Sequence, residues 1–144
     1  MKTTDKPVKV ENIFDGSINE VWKAITEHDQ MVQWFFDNLP DFKPEPGFRT
    51  QFNVKAPSRD FLHLWEVTEV KQYKKIVTNW KYEGIQGESL VTFQLEAQDN
   101  KTKLTVSTKV VEDFDDNIPE FKRESCLKGW NYFINNRLNT FLQG

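Results

Sequence analysis

The sequence predicts a single α+β domain in which a long C-terminal helix covers one face of an antiparallel sheet. Three observations lead to this prediction. Two short helical patterns follow a first strand, five runs of alternating apolar and polar residues occupy the middle of the chain, and an amphipathic stretch ends it. The length of 144 residues suits one domain, which we place at residues 8–144 after a flexible tail of residues 1–7.

The first elements are predicted to be a strand and two short helices. Apolar residues alternate with charged ones from Val8 to Phe14, as in a half-buried strand. Ser17 and Glu20 then have the spacing of a capping box, which predicts a helix start at this point. Thr26 has the same three-residue spacing to Asp29 and predicts the cap of a second helix.

Five further strands are predicted from period-two alternation in the middle of the chain. Asp99 and Asn100 suit a tight hairpin turn because both residue types tolerate positive φ. Short connections between the runs predict antiparallel neighbours, and the element order becomes β-α-α-β-β-β-β-β-α. The five runs are Phe48–Phe52, Phe61–Val70, Lys75–Tyr82, Glu88–Ala97 and Lys103–Val111.

The last element is predicted to be one helix that begins at Asn117, with Pro119 in its first turn and Glu120 at the third helical position. Each large apolar side chain of such a helix gains about 1.5–3 kcal/mol by burial. The inner face of the sheet is the only apolar surface large enough to receive it, so the gap between them is either packed or left partly open. The predicted apolar stripe consists of Leu127, Trp130, Phe133, Ile134, Leu138 and Phe141.

Composition excludes several classes of function. The net charge is −3, and the densest basic cluster is only Lys71, Lys74 and Lys75, which argues against nucleic-acid binding. The chain has no apolar run of 18 residues and no apolar segment near its start, which predicts a cytoplasmic protein without a membrane span.

The residues that commonly carry chemistry form no recognisable pattern. A single cysteine, Cys126, excludes an intrachain disulfide. It forms no zinc motif with His28 and His63, and no phosphate-binding or dinucleotide fingerprint occurs, so no metal and no cofactor are predicted. Ser125 and Cys126 lie within the helical pattern, where a nucleophile would lack oxyanion donors. We therefore assign no catalytic residue.

Several segments together resemble one family. Residues 21–26 and 33–35 are similar to the opening helices of the START-like, or SRPBCC, helix-grip superfamily, and more narrowly of its AHSA-type subfamily, named for an activator of a heat-shock-protein ATPase. Residues 46–48, 65–70, 78–80 and 91–95, and the ending from Phe121 to Leu142, agree in order and spacing. Only Gly47 stands where the subfamily often has paired glycines. The resemblance implies a curved antiparallel sheet wrapped around the C-terminal helix.

This architecture predicts an apolar cavity between the sheet and the helix. The residues expected to line it are mostly aromatic, and each is either plain core or a ligand contact. Thr108 and Tyr82 are the polar groups expected to orient a bound molecule. The predicted lining is Trp34, Phe48, Phe52, Trp65, Trp80, Phe93, Thr108, Trp130 and Phe133.

Three functions remain open from the sequence. The resemblance implies binding of a hydrophobic small molecule such as a lipid, a sterol or a polyketide-like aromatic. It also implies a stress-related co-chaperone that binds a heat-shock protein and stimulates its ATPase. The third, also implied by the resemblance because related helix-grip folds include such enzymes, is a cyclase or hydrolase that shapes a substrate in the cavity. Glu66, Glu69 and Glu96 are nevertheless expected to face solvent.

Overall fold

The computed structural model describes all residues from 1 to 144 and confirms the predicted element order. The C-terminal helix is continuous from residue 123 to 143, but its middle turns are π-helical. No helix is both long and apolar enough to cross a membrane. The elements are β1 Val8–Phe14, α1 Ile18–Thr26, α2 His28–Trp34, β2 Arg49–Lys55, β3 Asp60–Lys71, β4 Lys75–Tyr82, β5 Ile85–Gln98, β6 Lys101–Glu112, a 3-10 turn Pro119–Phe121, α3 Arg123–Trp130, a π segment Asn131–Leu138 and α4 Asn139–Gln143.

The six strands form one antiparallel sheet in the order β1-β6-β5-β4-β3-β2. Strands β2 to β6 follow one another as hairpins, and β1 pairs with β6. The hairpin turn predicted at Asp99 and Asn100 is confirmed, and Asp99 adopts the left-handed conformation with φ of 56°. Register shifts in β3, β4 and β5 interrupt the pairing, and such bulges bend a sheet. The concave face is therefore available to the helix.

The two short helices are held by local hydrogen bonds and by one buried bond between them. The predicted cap at Ser17 is confirmed, since its side chain accepts a hydrogen bond from the amide of Glu20. The predicted cap at Thr26 is wrong. Thr26 ends α1 and its buried hydroxyl donates to the carbonyl of Trp22 at 2.6 Å, a local bond that competes with capping the next helix. Trp34 Nε1 donates to the carbonyl of Ala24 at 2.7 Å and fixes α2 against α1.

The C-terminal helix begins later than predicted. Asn117 is not its cap, because Pro119–Phe121 forms a separate 3-10 turn and the backbone is extended at Lys122, with ψ of 149°. The turn allows Ile118 and Phe121 to be buried together in a small apolar cluster with Phe61, Val110 and Phe114. Burial of these side chains outweighs the capping signal in the sequence.

A four-residue interval decides which face of the C-terminal helix meets the sheet. Trp130, Ile134 and Leu138 are buried, and Cys126 lies on the same line. In an α-helix, four residues rotate the chain about 40° past one full turn. In the wider π turns, four residues complete less than one full turn. The two deviations offset each other, so the stripe stays on one face. Leu127, predicted to belong to it, is 41% exposed.

Residues 1–7, expected from the sequence to be a tail, lie against the end of β6 and the start of α3. The amide of Thr3 donates to Asp113 Oδ1 at 2.7 Å, and Lys2 Nζ lies 3.1 Å from a carboxylate oxygen of Asp116. The guanidinium of Arg123 donates to the carbonyls of residues 6 and 7. The acidic run after β6 therefore holds the first residues in place.

Gly87 lies where a side chain does not fit, and its substitution should be strongly destabilising. Its φ is +125°, and an added Cβ would overlap the ring of Phe114. We expect Gly87→Ala to lower the free energy of unfolding by about 2–4 kcal/mol, measured by urea denaturation. Gly84→Ala is the control, since φ there is +70° with no atom within 4 Å, and it should cost about 1 kcal/mol. Equal losses in the two variants would contradict the role of Phe114.

Candidate ligand-binding cavity

A cavity of about 200 Å³ lies between the inner face of the sheet and the C-terminal helix. One part of its wall is made of large rings from the sheet, the helix and the chain after α2, and the other part is made of small side chains. The rings are Phe36, Phe61, His63, Trp80, Tyr82, Trp130 and Phe133, together with Phe114 and Phe121 from the chain between β6 and α3. The small residues are Ala56, Ser89, Thr108, Ser125, Cys126 and Gly129.

The nine residues predicted to line a ligand site fall into two groups. Four of them line this cavity: Trp80, Thr108, Trp130 and Phe133. The other five do not line it, since Trp34 is fully buried between α1 and α2 and Phe48 packs on Phe42 beside the core. Phe52, Trp65 and Phe93 are buried in the closely packed half of the interior.

Phe35 fills that closely packed half. Its ring stacks on Trp34 with 4.7 Å between centroids and lies 5.7 Å from Trp65 and 6.1 Å from Phe93. Only a void of about 20 Å³ remains there, room for about one water molecule. The open space is consequently confined to the half of the interior nearer the start of α3.

His63 and Tyr82 are two of the polar residues that the sheet contributes to the cavity wall. They are paired residues on β3 and β4, and their rings meet edge to face with 4.8 Å between centroids. His63 Nδ1 lies 3.1 Å from the carbonyl oxygen of Phe61. Burial lowers the pKa of His63 to about 4 and raises the pKa of Tyr82 above its ordinary value. Both side chains are therefore neutral at pH 7.

Thr108 and Trp130 connect the sheet to the helix at the opposite wall. Trp130 Nε1 donates to Thr108 Oγ1 at 2.8 Å in a fully buried hydrogen bond. The thiol of Cys126 lies one helical turn before Trp130, and burial raises its pKa. A thiol in that state is mostly protonated and is a poor nucleophile.

The charged groups near the cavity are engaged at its rim. Glu120 accepts hydrogen bonds from the amide of Ser58 at 3.0 Å and from its hydroxyl at 2.6 Å, both at the surface. The terminal ammonium of Met1 donates to the carbonyl of Phe121 at 3.1 Å. No group of three or more His, Cys, Asp or Glu side chains is placed to hold a metal ion.

A second, more polar groove borders the cavity. It has a volume of about 500 Å³ and lies between the end of α2, strand β2 and the π segment. Phe36 and Phe133 line both spaces and contact each other with 5.1 Å between ring centroids. These two rings therefore separate the cavity from the groove.

Sequence reasoning missed most of the small residues around the cavity. It selected large aromatic residues, which are the side chains that fill space. The sequence did hold a signal for three of them, Ser89, Cys126 and Gly129. Each is a small residue on the inner face of an element that otherwise bears large side chains. Finding Cys126 and Gly129 also required the correct phase of the C-terminal helix, which the π segment shifts.

Comparison with protein families identifies the chain. The model of the family described as "Activator of Hsp90 ATPase homolog 1-like protein" matches residues 15–143, which is nearly the whole domain. The chain belongs to this AHSA1 family. The match confirms the resemblance found in the sequence and covers both the cavity and the C-terminal helix. A search of curated proteins finds no match to the sequence.

Several solved structures have the same fold as this AHSA1 domain. Two of them are protein MLL2253 from Mesorhizobium loti and protein BH1534 from Bacillus halodurans. Each is 25% identical to this chain, and their TM-scores are 0.73 and 0.72. In both comparisons 96% of this chain and 97% of the other chain are covered. DynU16, a protein of the dynemicin biosynthetic locus, has a TM-score of 0.77 at 24% identity. That comparison covers 96% of this chain but only 48% of DynU16.

The buried neutral state of His63 should make stability depend on pH. The unfolded imidazole takes up a proton below its ordinary pKa of 6.5, whereas the folded one stays neutral until about pH 4. Its contribution to stability is therefore present above pH 6.5 and is lost as the pH falls towards 4. Between pH 7.5 and 4.5 we expect the free energy of unfolding to fall by about 2–3 kcal/mol more than in His63→Gln.

That measurement compares urea denaturation of the two proteins at several pH values. Every other titratable group is common to both proteins, so the difference isolates the imidazole. Parallel pH profiles for the wild type and His63→Gln would show that the folded protein does not keep His63 neutral.

The buried bond between Thr108 and Trp130 should contribute measurably to stability. Thr108→Val keeps the volume but removes the acceptor, so that the indole N–H is left without a partner. We expect a loss of about 1–3 kcal/mol in the free energy of unfolding. Thr108→Ser, which keeps the hydroxyl, serves as the control and should cost less than Thr108→Val. A valine variant as stable as the wild type would refute the contribution of this bond.

Proposed function

We propose that the protein binds a hydrophobic small molecule in the cavity between the sheet and the C-terminal helix. The observation that carries this proposal is the cavity itself, since 12 of its 18 lining residues are hydrophobic and it has a volume of about 200 Å³. Lipids, sterols and polyketide-like aromatics are the chemical classes considered. Ligand sites are typically concave, mostly apolar and largely preformed, with a few polar groups that orient the ligand.

The chemistry of the wall favours binding over catalysis. Neutral His63, Tyr82, Ser89 and Thr108 supply hydrogen-bonding groups, while the only carboxylate of the lining, Glu120, is bonded to Ser58 at the rim. An apolar molecule that enters gains by leaving water and by contact with ring faces. Hydrogen bonds from the wall then select its orientation.

Gly129 offers a direct test of cavity binding. It lines the cavity, and apart from its chain neighbours and the backbone of its own helix, no atom lies within 4 Å of the place where its Cβ would stand. Gly129→Leu should therefore occupy the space and reduce the affinity for apolar ligands at least tenfold. Gly129→Ala is the matched control and should keep binding while strengthening the helix by up to about 1 kcal/mol.

Ligands for this test can be obtained from the protein itself. Native mass spectrometry of the purified protein would identify a co-purifying molecule, and amide chemical shifts in titrations with apolar aromatic and lipid panels would measure affinity. If no compound shifts the resonances of the cavity residues, or if Gly129→Leu binds as tightly as Gly129→Ala, the proposal is wrong.

A second candidate function rests on the family match. The AHSA1 description names an activator of the Hsp90 ATPase, and the Aha1 dimer from Colwellia psychrerythraea shares the fold with a TM-score of 0.72 at 17% identity. A chaperone would bind an outer surface, so this function is independent of the cavity. A pull-down with the chaperone followed by an ATPase assay tests it, and an unchanged ATPase rate would eliminate it.

A further inference from the structure

Two hydrogen-bonding atoms in the cavity wall lack a partner within the protein. His63 Nδ1 faces a carbonyl oxygen, which can only accept, so Nδ1 carries the proton. His63 Nε2 is then left as an acceptor, and no donor of the protein bonds to it. The hydroxyl of Tyr82 likewise makes no hydrogen bond within the protein, and neither atom is sealed away from the cavity space.

The two atoms are complementary to one hydroxyl group. A ligand hydroxyl donates one hydrogen bond and accepts others, so it can donate to His63 Nε2 and accept from the Tyr82 hydroxyl. Contact between the two rings, with 4.8 Å between centroids, places both groups on one side of the cavity. A hydrocarbon in the same position would leave both atoms unpaired and desolvated, which is costly.

The part of the wall formed by His63 and Tyr82 is neutral. The cavity lining contains no Lys or Arg, and its two charges, Glu120 and the terminal ammonium of Met1, are bonded to Ser58 and Phe121 at the rim. His63 and Tyr82 are themselves neutral, since burial displaces both pKa values away from neutral pH. A carboxylate bound between His63 and Tyr82 would lose its hydration and contact two neutral side chains.

The volume and the rings of the wall restrict the size and shape of the ligand. About 150 Å³ suffices to hold benzene in an apolar protein cavity, so the 200 Å³ here suits one or two rings. Trp80 and Trp130 contact each other with 5.5 Å between their centroids and form one continuous aromatic part of the wall. Phe36 and Phe133 close the space on the side of the groove. These faces favour offset or edge-on contact with a flat molecule.

We propose that the cavity selects a compact, uncharged aromatic molecule of one or two rings whose hydroxyl group is bound between His63 Nε2 and the hydroxyl of Tyr82. This inference rests on the proposed function and narrows it. A full-length acyl chain or a sterol exceeds the space, and an aromatic acid is excluded by its charge.

The test uses a matched set of three bicyclic compounds: 2-naphthol, naphthalene and 2-naphthoate. Affinities are measured at pH 7.5 by isothermal titration calorimetry and by amide chemical shifts of the full chain. 2-Naphthol should bind most tightly and naphthalene about tenfold more weakly, with no binding of 2-naphthoate. Tyr82→Phe should reduce the affinity for 2-naphthol five- to tenfold and leave that for naphthalene unchanged.

Tyr132→Phe is the control variant, because Tyr132 is half exposed and does not line the cavity. It should leave all affinities unchanged. Equal binding of 2-naphthol and naphthalene, with no effect of Tyr82→Phe, would overturn the hydroxyl site while leaving cavity binding intact. Binding of dodecanol or a sterol but of none of the bicyclic compounds would overturn the size class alone. If no apolar compound binds at all, both this inference and the proposed function fail.

Discussion

The packing of the C-terminal helix against the concave face of the sheet is the constraint on which the rest of the structure depends. Trp130, Ile134 and Leu138 are buried in that interface, and the bond from Trp130 to Thr108 ties the helix to β6 at one point. The inserted π turns keep a four-residue stripe on one side over the length of the helix. Without them, the apolar stripe would wind away from the sheet.

The cavity exists because large and small residues are distributed unevenly along that interface. Around Phe35, rings from α2, the sheet and the helix interlock, and close packing leaves almost no space. Nearer the start of α3, the small residues Ser89 from the sheet and Cys126 and Gly129 from the helix line the gap. The rings around them cannot close this space, because the sheet and the helix already hold their backbones apart.

The AHSA1 match and the solved relatives agree with this fold over nearly the whole domain. The relatives share the fold at 25% identity or less, which leaves ample room for differences among the side chains of the cavity wall. Fold similarity alone therefore does not determine the ligand. In this chain His63 and Tyr82 place neutral hydrogen-bonding groups in the cavity wall.

The sequence by itself determined the element order, the strand faces and the presence of a C-terminal helix packed on the sheet, because two-residue and near-four-residue periodicities follow directly from backbone geometry. It also placed Trp80, Thr108, Trp130 and Phe133 at the interface. Only the tertiary structure decided where the space lies, where the helix begins and why Cys126 rather than Leu127 faces inward. Those features depend on contacts between residues distant in the chain and on the shift of phase at the π segment, and no local pattern encodes either.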